Sequence, residues 1–282
     1  MIGWLPTRKG SAPSLSRSGN AVEKTASCRS ASRPIAAALI LAGLLSVKPA
    51  LADKRACSAA AAQKVCSCDL TKLRPLQGAV GMKEVAYKKR IISDDTKHQR
   101  KKLKKHPIEV VIGPGGQLFI TDHHHGAKAW LGAKTKWRVN GLCKVVNFDK
   151  ELPSDFGTDE DQFWKTLKDR KLVWLKNERG VDIDASQLPK TLEAMPDDPY
   201  RSLAWFVRKK RGFCKSRSEF AEFAWADWFR SKFPNLDAHD LPSNPKNKKN
   251  QTVNEAVKFA HSQKAKNLPG HSDADCKKDD ED

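Results

Sequence analysis

Two periods of apolar residues alternate with polar stretches along this chain, and most of its elements can be placed from them. Between 78 and 92, Met82, Val85, Ala86 and Ile92 recur at helical spacing, with Lys83, Lys88, Lys89 and Arg90 on the wet side. The polar run at 93–105, SDDTKHQRKKLKK, is expected to be a loop. Ile108-Glu-Val-Val-Ile112 and Gln117-Leu-Phe-Ile-Thr121 are β-rich, and Gly113-Pro114-Gly115-Gly116 between them predicts a hairpin. A helix follows from near His123 to Gly132, with Asp122 as its cap, and then an extended segment at 137–148. Phe163, Trp164, Leu167 and Leu172 mark another helix at 159–175.

The pattern is strongest further on. Asp197-Asp198-Pro199 is a helix start, with proline suited to the first turn and acids favoured at the positive end of the helix dipole. Tyr200, Leu203, Ala204 and Val207 form its buried stripe, and Arg201, Trp205 and Arg208 a mixed stripe beside it. The helix at 218–231, SEFAEFAWADWFRS, is apolar nearly all round and therefore central. Its Glu222 and Asp227 lie on aromatic faces, where a carboxylate needs a partner, and Arg201 and Arg208 are the expected ones. The alternative role for either acid is binding a catalytic metal. Residues 242–251 have linker composition, a short helix is expected around 252–264, and the chain ends in an acidic run.

One apolar stretch belongs to neither period. Residues 35–47, IAAALILAGLLSV, follow a Ser-, Ala- and Arg-rich start and precede Ala50-Leu51-Ala52. This is the layout of a secretory signal, with cleavage expected before Asp53. The run falls short of the roughly 20 residues that span a bilayer, so no transmembrane anchor is expected. Export changes the reading of the cysteines: Cys57, Cys66, Cys68, Cys143, Cys214 and Cys276 remain, an even number suited to as many as three disulfides of unspecified pairing. The competing reading is a metal site at the Cys66-Ser-Cys68 pair.

Charge narrows the choice of partner. The chain carries 52 Lys and Arg against 33 Asp and Glu, a net charge of +19, which implies a polyanion or an anionic surface. Between Lys83 and Lys105 there are ten basic and three acidic residues, with Lys101, Lys102, Lys104 and Lys105 at the end. Such local charge is the footprint of a phosphate-binding face, although a merely solvated face would look the same.

The segment with specific chemistry is Leu118-Phe-Ile-Thr-Asp122-His123-His124-His125-Gly126-Ala-Lys128-Ala-Trp130. A strand delivers an Asp and three His to a helix N-terminus, where free N–H groups favour an anion. Asp122, His124 and His125 are the candidate catalytic residues, and the same three would be the ligands if a metal binds. Lys128, one turn on, is the candidate phosphate contact. His123 is expected to point away. The plainer reading makes Asp122 a cap and the histidines a polar turn.

At these residues the chain resembles the ParB/sulfiredoxin superfamily, and within it the ParB-like nuclease branch. That superfamily has a strand leading into a D-G-H-H-R-x-x-A-like turn; Asp122, His124, His125, Ala127 and Ala129 fit it, with His123 in the Gly place and Gly126 in the Arg place. The likeness to the nuclease branch extends over about 70–235. It includes Leu73-Arg-Pro-Leu-Gln77, Val80-Gly81, His106-Pro-Ile108, the GPGG hairpin, Asp197-Asp-Pro-Tyr-Arg-Ser-Leu-Ala204, and the segment from Phe220 to Arg230.

The resemblance implies an α+β fold, a small mixed sheet with helices followed by a helical C-terminal part. The expected layout is a signal at 1–52, a Cys-rich segment at 53–72, the ParB/sulfiredoxin-like domain at 73–150, a helical extension at 151–235, and a polar, mostly flexible tail at 236–282. Partition ParB proteins hold CTP phosphates with an Arg-rich box at this turn; Gly126 removes one such Arg, and no CTP is expected. Sulfiredoxins place a nucleophilic Cys where His124 stands, so their chemistry is not expected either. The function implied is an exported nuclease or phosphodiesterase acting on nucleic-acid phosphates, with a divalent metal as the candidate cofactor. The alternative is a non-catalytic exported protein that binds nucleic acid or the envelope.

Overall fold

A computed structural model describes residues 56–146, 156–272 and 276. The signal segment, its cleavage point and the end of the acidic run lie outside these. The described residues all fall in one unit, Leu51–Asp282.

Five strands form a mixed sheet: β1 (Val65–Asp69), β2 (Arg74–Pro75), β3 (Ile108–Ile112), β4 (Leu118–Ile120) and β5 (Asn140–Val145), in the order β1-β5-β3-β4-β2. β1 and β5 are antiparallel, β5 and β3 parallel, β3 and β4 an antiparallel hairpin, and β4 and β2 parallel. The GPGG turn closes the hairpin as expected, with Gly115 and Gly116 at φ of 66° and 75°, where a side chain would be strained.

Strand alternation sorts the core into two layers. Val110, Ile112 and Ile120 face one side with Val85, Ile92, Ala127, Trp130 and Leu131, from helices α1 (Met82–Asp94) and α3 (His124–Gly132). Val111 and Phe119 face the other side, where α4 (Glu160–Asp169) brings Phe163 and Leu167. A separate helical core joins α5 (Pro199–Lys209), α6 (Ala221–Arg230) and α7 (Gln251–Ala260) through Leu203, Trp205, Phe206, Trp225, Phe229 and Val253.

Four expectations need correction. Residues 93–105 are not a loop: α2 (Thr96–Lys105) occupies most of them, started by Asp95 accepting from the His98 N–H at 3.2 Å. Lys, Arg and Gln are good helix formers, and burying Leu103 anchors the helix. Asp122 is not the cap of α3; it accepts from the adjacent His123 N–H, while His123 takes the N-cap place in the left-handed region (φ 71°) without a side-chain bond. Of the two acids before Pro199, only Asp198 caps α5, through the Tyr200 N–H. Asp197 accepts instead from the Met82 N–H at the start of α1.

Finally, the stretch after 236 is not simply a tail. Val253, Ala256 and Ala260 of α7 are buried in the helical core, and Cys276 bridges back to Cys214. The other cysteines pair as Cys57–Cys66 and Cys68–Cys143, the second joining β1 to β5. Cys66 and Cys68 are therefore disulfide sulfurs rather than a thiolate pair.

Candidate functional site at the β4–α3 turn

The turn between β4 and α3 places its four polar residues in two groups. Asp122 and His123 face solvent, with side chains 74% and 40% exposed and His123 Nδ1 at 3.4 Å from Asp122 Oδ2. His124 and His125 are buried. The left-handed backbone at His123 separates them, because it redirects the chain so that the next two residues enter the protein as the first turn of α3.

Each buried ring accepts a backbone N–H: His124 Nε2 from Leu76 at 3.0 Å, and His125 Nε2 from Gly81 at 2.9 Å. The two imidazoles thus pin the segment Leu76-Gln-Gly-Ala-Val-Gly81 over the start of α3. An accepting nitrogen is an unprotonated one, and burial enforces this by pushing His124 down to about 3. Burial likewise holds His125 well below the usual imidazole range.

Asp122, His124 and His125 therefore do not line one pocket floor. Lys128 does not stand at a rim: its Nζ donates to the carbonyls of Leu192, Glu193 and Met195 at 2.7, 2.9 and 3.2 Å, tying α3 to that loop. Lys128→Met should cost about 1.5–3 kcal/mol through these charged hydrogen bonds. Hydrogen exchange at 192–196 should accelerate with it; unchanged exchange there would contradict this role.

Beneath His125 lies an ionic network. Glu84 of α1 is buried and meets Lys88 at 2.8 Å and Arg201 at 3.1 Å. Burial alone would raise its carboxyl, yet the cations around it hold it well below the usual carboxylate range. Arg201 also pairs with Glu222, which in turn pairs with Arg208. The expected Arg–carboxylate link between α5 and α6 is present. Asp227 instead meets Lys176 at 3.1 Å and Arg230 at 3.4 Å, partly exposed.

Glu84 escaped the sequence reading because Lys88, one turn on along the same face, marked that face as the wet one. So did Glu219, whose carboxyl is raised by partial burial and then by neighbouring Asp122 and Glu109. Glu109 is paired with Lys144 at 2.8 Å. Negative potential thus surrounds the exposed end of the turn. Among the described residues no three His, Cys, Asp or Glu are grouped to hold a metal ion. Lys101, Lys102, Lys104 and Lys105 are all exposed on α2.

The five-stranded mixed sheet with a helical second half is consistent with a ParB-like fold. The family model described as "Putative ParB-like nuclease" matches residues 66–231, and the chain belongs to that family. A solved structure, protein Atu1540 from Agrobacterium tumefaciens, is similar at 28% identity and a TM-score of 0.57, covering 74% of this chain and 97% of that one. No curated protein matches the chain.

Proposed function

We propose that this chain is an exported nuclease or phosphodiesterase whose chemistry occurs at the exposed Asp122–His123 pair, on the turn that His124 and His125 hold in place. The supporting observation is the division within the turn: the buried imidazoles are occupied by backbone donors, whereas His123 carries an accessible ring beside a carboxylate. An imidazole so placed can move a proton to or from water at a phosphodiester. The first intrahelical bond of α3 runs from the Ala127 N–H to the His123 carbonyl at 2.9 Å, so the N–H groups of 124–126 are not used within the helix and suit an anion.

Asp122 and Glu219 would repel a phosphate; were a divalent cation bound here, Asp122 would hold it and it would supply the neutralising charge. Magnesium is commonly held in that way, with one or two carboxylates rather than a complete protein cage. Three disulfides favour an oxidising compartment, and no helix among the described residues is long and apolar enough to cross a membrane.

The test is cleavage of plasmid and single-stranded DNA by the pure protein, with and without chelator. His123→Gly is the informative variant, since glycine suits the φ of 71° and removes only the imidazole. Cleavage should be lost, at unchanged or higher melting temperature, in His123→Gly, and chelator should suppress the wild type. Undiminished cleavage in His123→Gly would overturn this site. A wild type that cleaves nothing would favour the non-catalytic nucleic-acid-binding alternative, which the burial of His124 and His125 also suits.

A further inference from the structure

The geometry points to a second surface, formed by one flank of α2 and the turn at 134–138, that binds single-stranded nucleic acid with phosphates on its cations and a base on Trp137. This rests on the nucleic-acid reading above and names the form of the partner.

Arg100 joins the two segments. Its guanidinium lies 5.9 Å from the Trp130 ring centroid and 6.0 Å from that of Trp137, and it donates to the Asn140 carbonyl. The Lys134 N–H donates to Ser93 Oγ at 3.1 Å, which fixes the turn against the end of α1. With Leu103 buried, rotation of about 100° per residue puts Lys97, Lys104 and Lys101 on the Arg100 flank and Lys102 on the opposite one. Lys97, Lys101 and Lys104 are exposed, as are Lys134, Lys136 and Arg138 across the turn. Neither α2 nor residues 133–140 contain an acid. The charge is therefore carried by both segments rather than by a lysine-rich helix alone.

Trp137 separates this surface from a general polyanion site. Its ring is half-buried at the centre, with Lys136 Nζ at 5.0 Å from the centroid. Lysine is a flexible cover, and its ammonium can move to a phosphate while a base takes its place on the indole. Stacking of this kind requires an unpaired base, which a single strand offers and a duplex or an acidic protein does not.

Fluorescence anisotropy of the full chain with a labelled oligothymidylate, in chelator to prevent cleavage, provides the test. Trp137→Leu should weaken binding about tenfold, while Trp137→Phe should retain most of it. The triple variant Lys97→Gln, Lys104→Gln, Lys136→Gln should lower the slope of log affinity against log salt by about 2. Lys102→Gln should change it little. Wild-type affinity in Trp137→Leu, or equal competition by duplex or polyglutamate, would overturn the inference. That result leaves the Asp122–His123 reading intact, because cleavage reports on it separately. If the wild type binds no oligonucleotide, the surface and the nucleic-acid reading fail together.

Discussion

Folding stability should hold above about pH 6.5 and fall as acid is added, with His124 as a principal cause. Its imidazole is neutral in the fold, since Nε2 accepts from Leu76, and its protonation is shifted from 6.5 down to about 3. A group depressed on folding binds its proton more readily in the unfolded chain. Its stability contribution is therefore complete above 6.5 and is lost as pH falls towards 3. At about 1.4 kcal/mol per unit, that interval corresponds to about 5 kcal/mol, enough to unfold a protein of ordinary stability. His125 acts in the same direction, and so does Glu84 below its usual carboxylate range. Asp198 opposes them: burial lifts its carboxyl to about 6 against the pull of Arg230, so the fold gains relative stability as it protonates.

The difference between two profiles isolates the histidine. Gln at 124 can place a non-titrating acceptor near the Leu76 N–H, so urea unfolding of His124→Gln should have a shallower acid limb by about 1.4 kcal/mol per pH unit between 6 and 4. Parallel profiles for wild type and variant would show that His124 does not carry the acid sensitivity.

The elements legible in the sequence were those whose signals are local. The GPGG hairpin, the Asp198-Pro199 start of α5 and the stripe through Leu203 and Val207 each depend on neighbours in the chain, and each stands where the pattern put it. The outcome at α2 differs because its polarity masked a helix that needs only Leu103 for an anchor and Asp95 for a cap. The candidate site was half legible. The D-H-H-H turn was found, but which histidines face outward depends on the left-handed backbone of His123 and on donors at Leu76 and Gly81, more than forty positions earlier. Spacing along α3 contains neither fact. Lys128 stands on the helix where spacing put it, but the Leu192, Glu193 and Met195 carbonyls that take its ammonium come from a distant loop and left no mark in the local pattern.

Arg201→Met is expected to be among the most damaging single substitutions outside the apolar core. Arg201 is 6% exposed and Glu84 only 3%, and Arg201 contacts both Glu84 on α1 and Glu222 on α6. Its guanidinium also lies 5.4 Å from the Phe223 ring centroid, so both its charge and its flat face are used. Removing it leaves Glu84 paired with Lys88 and Glu222 with Arg208. Breaking a buried pair from one side costs about 3–5 kcal/mol, since the remaining charge stays desolvated without its partner. Glu84→Gln alone leaves a neutral amide that can still accept from Arg201 and should cost less. In the double variant Glu84→Gln, Arg201→Met, no carboxylate at 84 is stranded, so the combined loss should fall short of the sum of the two single losses by about 1–3 kcal/mol. Urea unfolding of the four proteins measures this coupling directly. Losses that add to within about 0.5 kcal/mol would mean the Glu84–Arg201 contact stabilises nothing, and that Arg201 acts through Glu222 and its packing on Phe223 instead.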